Sequence, residues 1–251
     1  MQDQHFDDLA VRFARKIYGN NKGAIRLAVL QADLQEILPQ QQLRVLDMGA
    51  GLGNMALWLA RQGHQVTLVE PSVPMLDAAR SSFAEAGVEA DFVPCDWQQL
   101  VDSKPQPYDL ILCHAVLEWL ADPAALLAAL KPLLKPDGWL SLAFYNKDAL
   151  VLHNLVKGNL RKLAKGHFAG DKGGLTPQQP LDPCELEQIL AAHDWQPEQR
   201  SGIRVFHDYM QPRFRDKIAD QELVETELLY RRHPALGPLG RYLHWMCRHA
   251  V

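Results

Sequence analysis

A glycine-rich segment of the chain carries an acidic residue just before its first glycine, and it follows a short apolar run. The segment is Val45-Leu46-Asp47-Met48-Gly49-Ala50-Gly51-Leu52-Gly53. Gly49, Gly51 and Gly53 allow a tight turn and a close approach of the backbone to a ligand. The spacing is not the dinucleotide pattern GxGxxG, because position 54 is Asn54. The Asp47 carboxylate would repel a diphosphate and suits a ligand that carries an ammonium group, although such a turn could also be purely structural.

Further polar residues follow the second and third predicted strands. Glu70 ends the second strand, where an acid in a doubly wound sheet accepts the ribose hydroxyls of an adenosine. Asp96 could accept the adenine amino group or cap a helix, and Trp97 could frame the ring or pack in the core. An adenosine that carries an ammonium group and no phosphate is S-adenosylmethionine, and this cofactor, with S-adenosylhomocysteine as product, is therefore predicted.

A histidine ends the fourth predicted strand at its carboxyl end. His114 could cap or pack there, but ligands bind at this edge of such sheets, so contact with cofactor or substrate is favoured.

The segments around these residues alternate between short apolar runs and helical periodicity. Such alternation predicts an α/β fold with a mainly parallel, doubly wound sheet and right-handed crossovers. Strands are predicted over Leu43–Asp47, Val66–Glu70, Asp91–Cys95, Tyr108–Cys113 and Trp139–Phe144, and helices over Met55–Gln62, Pro74–Glu85 and Ala124–Leu134.

Flanking segments are predicted to complete the same domain. Two helices joined by a loop at 19–23 are expected within 1–38, the cofactor-binding core spans 42–145, and 146–251 supply a cap and the rest of the sheet. Within this last part we predict a basic helix over Asn146–Lys165, a loop over Gly166–Pro183, a helix over Cys184–Asp194, a strand, turn and strand over Trp195–Tyr209, a helix with outward acids over Ala219–Arg232, and a strand over Tyr242–Cys247.

The composition excludes several classes of protein. The sequence contains no apolar run of about 18 residues, so no membrane span is predicted. The polar N-terminus lacks the pattern of a signal peptide, and a cytoplasmic protein is therefore expected. The four cysteines form no CxxC pair, which argues against a disulfide framework and against a zinc site; no metal is predicted.

Basic residues are concentrated in three stretches despite a net charge of −4. They could form one positive face for the phosphates of a nucleic acid. The stretches are 11–26 (Arg12, Arg15, Lys16, Lys22, Arg26), 157–172 (Lys157, Arg161, Lys162, Lys165, Lys172) and 231–251 (Arg231, Arg232, Arg241, Arg248).

The chain resembles the Rossmann-like class I methyltransferases in its glycine loop, Glu70, Asp96 and the run Tyr108 to Trp119. It is more closely similar to the bacterial tRNA 5-carboxymethoxyuridine methyltransferases. This second resemblance covers nearly the whole chain and rests on Asn20-Asn21-Lys22-Gly23 with Arg26, on Phe144-Tyr145-Asn146, on His153-Asn154, and on Gly202-Ile203-Arg204-Val205-Phe206-His207-Asp208-Tyr209.

The resemblance implies a seven-stranded sheet with a helical cap after the fifth strand, and methyl esterification of a wobble uridine in the anticodon stem-loop of tRNA. It implies that Arg26 pairs with the methionine carboxylate of the cofactor. The other implied cofactor contacts are Gly49, Ala50, Glu70, Trp97, Gln98 and His114, to which the reasoning from the residues adds Asp47, Gly51 and Asp96. Candidates for positioning the modified base are Tyr145, Arg204, His207 and Tyr209, although the arginine could also be a surface residue and the tyrosines core residues. The chain departs from the family in having Glu70 where Asp is expected and a sparser basic loop.

Two other functions stay open at this point. A small-molecule O- or carboxyl-methyltransferase needs the same cofactor motifs without an RNA surface, and a non-catalytic cofactor-binding module needs only the pocket. A Ser-His-Asp hydrolase is disfavoured because the sequence has no GxSxG motif.

Overall fold

A seven-stranded sheet forms the centre of the protein, as predicted. The computed structural model describes residues 21–38, 41–166, 177 and 179–250; the first predicted helix and most of the 166–183 loop lie outside these ranges. The strand order is β3-β2-β1-β4-β5-β7-β6. Strands β1 to β5 run parallel, and β7 is antiparallel to both β5 and β6. The strands are β1 Arg44–Met48, β2 Gln65–Val69, β3 Asp91–Val93, β4 Tyr108–His114, β5 Leu134–Tyr145, β6 Trp195–Ile203 and β7 Tyr242–His249.

Helices cover both faces of the sheet because the central strands are apolar on both sides. In β4, Leu110 and Leu112 join one buried cluster, while Ile111 and Cys113 join the other. This double burial explains the nearly continuous apolar run of that strand. The described helices are α1 Asn21–Gln35, α2 Asn54–Ala60, α3 Val73–Ala86, α4 Trp97–Asp102, α5 Pro123–Leu130, α6 Lys147–Val156, α7 Leu160–Ala164, α8 Pro183–Ala192, α9 Pro212–Arg215 and α10 Asp220–Tyr230. Helices α6 and α7 are the predicted helical insertion after β5.

The boundaries of three predicted elements were wrong. Helix α1 already begins at Asn21, within the predicted loop. Helix α5 ends at Leu130, and β5 begins at Leu134 rather than at Trp139. The strand starts early because Leu134 pairs with Tyr108 of β4, and the Lys135 ammonium lies 2.8 Å from the Asp109 carboxylate.

The prediction of a second strand within Trp195–Tyr209 was also wrong, because a turn follows β6. Arg204 has a φ of 59°, a left-handed conformation that reverses the chain. The Glu227 carboxylate then accepts backbone N–H groups from three successive residues of the turn, Val205, Phe206 and His207, at 2.7, 3.2 and 2.9 Å. Glu227 is therefore buried, which corrects the expectation that the acids of α10 all point outward.

Candidate functional site

The glycine loop between β1 and α2 folds back over the end of β2. The N–H groups of Gly49 and Ala50 both donate to the carbonyl of Val69, at 2.9 and 3.0 Å. Gly49 has a φ of 68°, and a Cβ there would lie 2.6 Å from Cγ2 of Val116. The loop therefore requires glycine at this position for both its conformation and its packing.

The Glu70 carboxylate joins the loop to the carboxyl end of β2. It is buried and accepts the N–H of Gly51 through Oε2 and the N–H of Ser72 through Oε1, each at 2.9 Å. The acid thus stands beside the loop, as the sequence predicts.

Asp47 at the end of β1 is a buried acid close to Glu70. Burial, and after it the charge of Glu70, raises the pKa of Asp47 to about 7. Two acids side by side in a poorly solvated place favour a positively charged ligand.

Arg26 extends from α1 into the same region and is buried. Its guanidinium lies 5.1 Å from the centre of the Tyr242 ring. Burial raises the pKa values of Asp47 and Glu118 and lowers that of His114, and the charge of Arg26 opposes the two rises and adds to the fall, so it reaches all three groups. The structure therefore brings Arg26, Asp47 and His114 together.

The segment after β3 forms a capped helix. Asp96 accepts the N–H of Gln99 at 2.8 Å, and the Gln99 side chain accepts the N–H of Asp96 at 3.2 Å. This is the capping role that the sequence left open for Asp96. Trp97 packs against the core, yet its buried indole N–H makes no hydrogen bond within the described parts of the chain, and Gln98 is exposed.

His114 ends β4, and its Nε2 lies 2.8 Å from Oγ of Ser141 on β5. Burial, with contributions from His244 and Arg26, lowers the pKa of His114 well below its usual range. The imidazole is therefore neutral at physiological pH.

Glu118 was not singled out from the sequence. It is 1% exposed, and neither carboxyl oxygen makes a hydrogen bond to a side chain that the structure describes. Burial raises the pKa of Glu118 to about 7. An acid inside the apolar run Leu117–Leu120 was the signal that could have found it.

A second polar cluster surrounds Asp208 in the turn after β6. The Arg204 guanidinium lies 3.4 Å from the Asp208 carboxylate, and His207 Nδ1 lies 3.1 Å from it. Arg241 approaches the same carboxylate at 3.8 Å. Its Nη1 is buried with no hydrogen-bond partner among the described residues.

This cluster around Asp208 contains more cations than acids. Burial lowers the pKa of Lys22, and the nearby charges of Arg204, Arg215 and Arg241 lower it further. The charge of Asp208 has the opposite effect, so Lys22 lies close to all four residues. Sequence analysis assigned neither Lys22 nor Arg241 to a site, so their convergence with Arg204 is a finding of the structure.

Aromatic residues pack near both groups of charged side chains, the one around Arg26 and the one around Asp208. Tyr145 is buried edge-to-face against Tyr242, at 5.2 Å between ring centres, and Arg241 lies 5.0 Å above the Tyr145 ring. The Tyr209 hydroxyl donates to the carbonyl of Leu239 at 2.9 Å, and its ring lies 6.1 Å from His153. Both tyrosines are therefore packed by the protein itself.

The three basic stretches have different environments. Arg231 and Arg232 are bound to Asp33 at 3.0 and 2.7 Å, so these two do not form the expected free positive face. In contrast, four basic residues from the end of α6 to the end of α7 are exposed: Lys157, Arg161, Lys162 and Lys165. Arg12, Arg15, Lys16 and Lys172 lie outside the described residues.

Comparison with known proteins identifies the family. A sequence profile of the methyltransferase domain matches residues 23–200. The tRNA 5-carboxymethoxyuridine methyltransferase of Escherichia coli (strain K12) is 41% identical over 253 aligned residues, covering 99% of this chain and 97% of the relative. The chain belongs to the tRNA 5-carboxymethoxyuridine methyltransferase family.

Solved structures with lower identity share the fold of this methyltransferase. The [4+2]-cyclase SpnF superposes with a TM-score of 0.64 at 18% identity, covering 100% of this chain and 98% of the cyclase. Magnesium protoporphyrin IX methyltransferase from Synechocystis PCC 6803, solved with bound SAH, gives a TM-score of 0.61 at 20% identity, covering 79% and 90% of the two chains. These likenesses establish a class I methyltransferase fold.

The described ranges of this methyltransferase lack a metal-binding cluster, a disulfide and a membrane-spanning helix. There, no group of three or more His, Cys, Asp or Glu side chains is placed to hold a metal ion, and the four cysteines are free thiols. Nor is any helix in those ranges both long and apolar enough to cross a bilayer.

Proposed function

We propose that this methyltransferase transfers the methyl group of S-adenosylmethionine to the carboxylate of 5-carboxymethoxyuridine at the tRNA wobble position, giving the methyl ester. The main support is the 41% identity to the relative of that name across 99% of the chain. The excess of cations around Asp208, next to the cluster of Arg26, Asp47 and His114, is the independent structural support.

The residues at the carboxyl ends of β1 to β4 suit this methyl donor. Two groups, the Trp97 indole N–H and the Glu118 carboxyl, are buried without a hydrogen bond to a side chain that the structure describes. We infer that Glu70 binds the ribose hydroxyls and Arg26 the methionine carboxylate. The remaining contacts would come from Asp47, Gly49, Ala50 and Gly51 around the amino-acid end, from Asp96, Trp97 and Gln98 around adenine, and from His114. When bound, the cofactor supplies an electrophilic methyl group on a sulfonium.

The cluster around Asp208 is suited to the substrate carboxylate. Lys22, Arg204 and Arg241 surround a single ionised acid, because the neighbouring cations and the His207 hydrogen bond keep the pKa of Asp208 well below its usual range despite its burial. A carboxylate that enters would therefore meet two guanidinium groups, those of Arg204 and Arg241, that share one acid among the described residues. We assign Arg204 to the oxygen distal from the methyl donor.

The chemistry needs little beyond this positioning. A carboxyl group with a pKa of about 4 is ionised at neutral pH, so no general base is required. The protein must hold one carboxylate oxygen in line with the methyl group and exclude water, and such orientation is a large part of catalysis. Because Asp208 shares the charge of Arg204 and Arg241, these cations orient the carboxylate without quenching the attacking oxygen.

The aromatic residues would shape the pocket for the base. Tyr145 and Tyr209 are fixed by their own contacts, so we assign them to its walls, where Tyr209, the more exposed, could stack on the uracil. His207 is buried and bonded to Asp208, and we assign it to orienting that acid rather than to touching the base.

Four exposed basic residues, Lys157, Arg161, Lys162 and Lys165, follow α6, which starts two residues after Tyr145. We infer that they grip the phosphates of the anticodon stem-loop, with an affinity that falls as salt rises. A cytoplasmic enzyme that folds as one domain over 1–251 completes the proposal.

The direct test is methyl transfer from labelled S-adenosylmethionine to tRNA that carries the free acid, with tRNA lacking the modification as control. Label should enter only the modified tRNA, and transfer should weaken as salt is raised from about 50 to about 200 mM. Transfer to small carboxylic acids with none to tRNA would instead support a small-molecule methyltransferase.

A further inference from the structure

The turn between α6 and α7 presents apolar side chains to solvent. Eight consecutive residues, 155–162, are exposed, and we call this segment the elbow. Three of its residues are large and apolar: Leu155, Val156 and Leu160 are 50%, 63% and 61% exposed. Exposed apolar residues that are grouped together commonly mark an interaction surface.

The elbow has a defined backbone. The side-chain oxygen of the buried Asn154 accepts a hydrogen bond from Nδ2 of Asn159 at 3.1 Å, and its carbonyl accepts the N–H of the same residue at 2.9 Å. Gly158 has a φ of 68° and donates its N–H to the carbonyl of Leu155 at 3.0 Å. These contacts bring residue 159 back against residue 154, so Leu155 and Leu160, which follow the two asparagines, lie on one turn. A turn that is ordered before a ligand binds loses less entropy on binding.

The elbow borders the cluster around Asp208. His153 lies one turn before Lys157 on the same face of α6, and its ring centre is 6.1 Å from that of Tyr209. Burial lowers the pKa of His153, and the charges of Arg241 and Lys157 lower it further. His153 is therefore near both the cluster and the elbow. Because Tyr209 is the residue that we assign to stacking on the uracil, the elbow follows directly on the proposed wall for the base.

The charges of the elbow indicate the kind of partner that it fits. Lys157, Arg161 and Lys162 stand among its apolar residues, and the sequence has no acid from residue 149 to residue 170. A single-stranded nucleic acid offers both phosphates and apolar base faces, and these complement the cations and the apolar side chains. A loop of tRNA also carries the nucleotide that the adjoining pocket is proposed to bind.

A base that enters this pocket must leave its stack. The side chains of Arg204, Arg241 and Asp208 are only 13%, 15% and 8% exposed, so a substrate carboxylate reaches them inside the protein. Enzymes that act on a base in this way extrude it from the nucleic acid, at the cost of its stacking. The two bases that flanked it then expose apolar faces to water. An apolar surface beside the pocket would cover those faces.

We propose that Leu155, Val156 and Leu160 pack against the bases that flank the extruded wobble uridine, in place of the stacking that those bases lose. This inference rests on the proposed function, since it takes the anticodon loop as the ligand. The cations of the elbow hold the neighbouring phosphates. Apolar contact of this kind does not read the hydrogen-bond pattern of a base, so the elbow accepts loops of different sequence.

The first test measures kcat/KM with a synthetic anticodon hairpin that carries 5-carboxymethoxyuridine at the wobble position, and with the same hairpin in which both flanking nucleotides are abasic. A Leu155→Ser, Leu160→Ser double variant should lose about tenfold on the complete hairpin and less than about twofold on the abasic one. Leu229→Ser, at a residue of α10 that is 74% exposed, should match the wild type on both. Equal losses on the two hairpins, or no loss on either, would overturn the proposal.

The second test separates the apolar contact from charge and from folding. The salt dependence of hairpin binding should be unchanged in the double variant but weaker in Lys162→Ala, because only the latter removes a phosphate contact. The free energy of unfolding of the double variant should equal that of the wild type, since both leucines are exposed. A clear loss of stability would show that the chain itself covers these residues and would contradict the proposal.

Failure of the proposed function would give a different result. A wild type that methylates neither hairpin would refute that function. The affinities of the wild type and the double variant for the two hairpins, which require no methyl transfer, would then decide whether the elbow binds the flanking bases.

Discussion

The N–H of Gly51 donates to the Glu70 carboxylate at 2.9 Å, so the loop after β1 and the acid after β2 form one unit. These residues are 19 positions apart, and parallel pairing of β1 with β2 brings them together. The same carboxylate accepts the N–H of Ser72 at the start of α3, so it fixes two turns at this edge of the sheet. Under the proposed function, Glu70 has this structural role and also binds the cofactor.

Replacement of Glu70 should reveal both roles. Glu70→Ala removes a charged acceptor from two N–H groups and from the ribose, so affinity for S-adenosylmethionine should fall at least about 100-fold and thermal stability should also decrease. Glu70→Asp keeps the charge and should lose much less affinity. Calorimetry and thermal unfolding would measure these effects, with exposed Glu89→Gln as control. Unchanged affinity in Glu70→Ala would remove this acid from the cofactor site.

The glycine loop can be tested with two alanine substitutions that differ only in packing. Gly63 has a φ of 88°, and a Cβ added there would meet nothing within 4 Å, whereas a Cβ on Gly49 would lie 2.6 Å from Val116. Gly63→Ala should cost about 1 kcal/mol in the free energy of unfolding, from backbone strain alone. Gly49→Ala should cost a further 1–3 kcal/mol, roughly, from overpacking. Equal urea-unfolding midpoints for the two variants would show that the contact with Val116 is unimportant.

Loss of a cation near Asp208 should lower catalytic efficiency and leave the affinity for the cofactor nearly unchanged. Arg204→Ala and Arg241→Ala should each lower kcat/KM for modified tRNA about 100-fold, because a buried charge pair loses one member. The Kd of S-adenosylmethionine should stay within about threefold, and exposed Arg61→Ala should behave as wild type. Single-turnover kinetics would separate the two effects. Equal retention of catalysis and binding would place these arginines outside the substrate site.

Glu118 should make folding stability depend on pH. Burial raises its pKa to about 7, so between pH 4.5 and 7 the unfolded chain releases this proton before the folded protein does. The free energy of unfolding should therefore fall as pH rises through this range, and Asp47, with its pKa of about 7, should add to the slope. Glu118→Gln removes the contribution of Glu118.

Urea unfolding of Glu118→Gln and wild type from about pH 4.5 to about pH 8.5 would test this pH dependence. The variant should match the wild type at the acid end and exceed it at the alkaline end by on the order of 1–3 kcal/mol. Parallel profiles at all pH values would show that Glu118 is ionised in the folded protein.

Local pattern in the sequence accounts for much of the fold. The apolar run of β4, the glycine loop and the position of Glu70 were predictable, since each depends on neighbouring residues or on the rule that strand ends meet at one edge. The early start of β5 was not, because it depends on Leu134 pairing with Tyr108 across the sheet.

The residues near the glycine loop were predictable from the sequence. The cluster around Asp208 was much less predictable. The turn after Arg204 is held by Glu227 of α10, whose carboxylate accepts three backbone N–H groups of the turn. The sequence around either residue does not predict this contact. Asp33 and His244 are 211 positions apart, and their hydrogen bond continues through Ser141 to His114. Such contacts require the complete topology.

Nucleoside mass spectrometry of tRNA from cells that lack this gene tests the central claim most directly. We predict that the methyl ester of 5-carboxymethoxyuridine disappears, that the free acid accumulates, and that the wild-type gene, but not an Arg204→Ala copy, restores the ester. Unchanged levels of the methyl ester in the deletion strain would contradict the account.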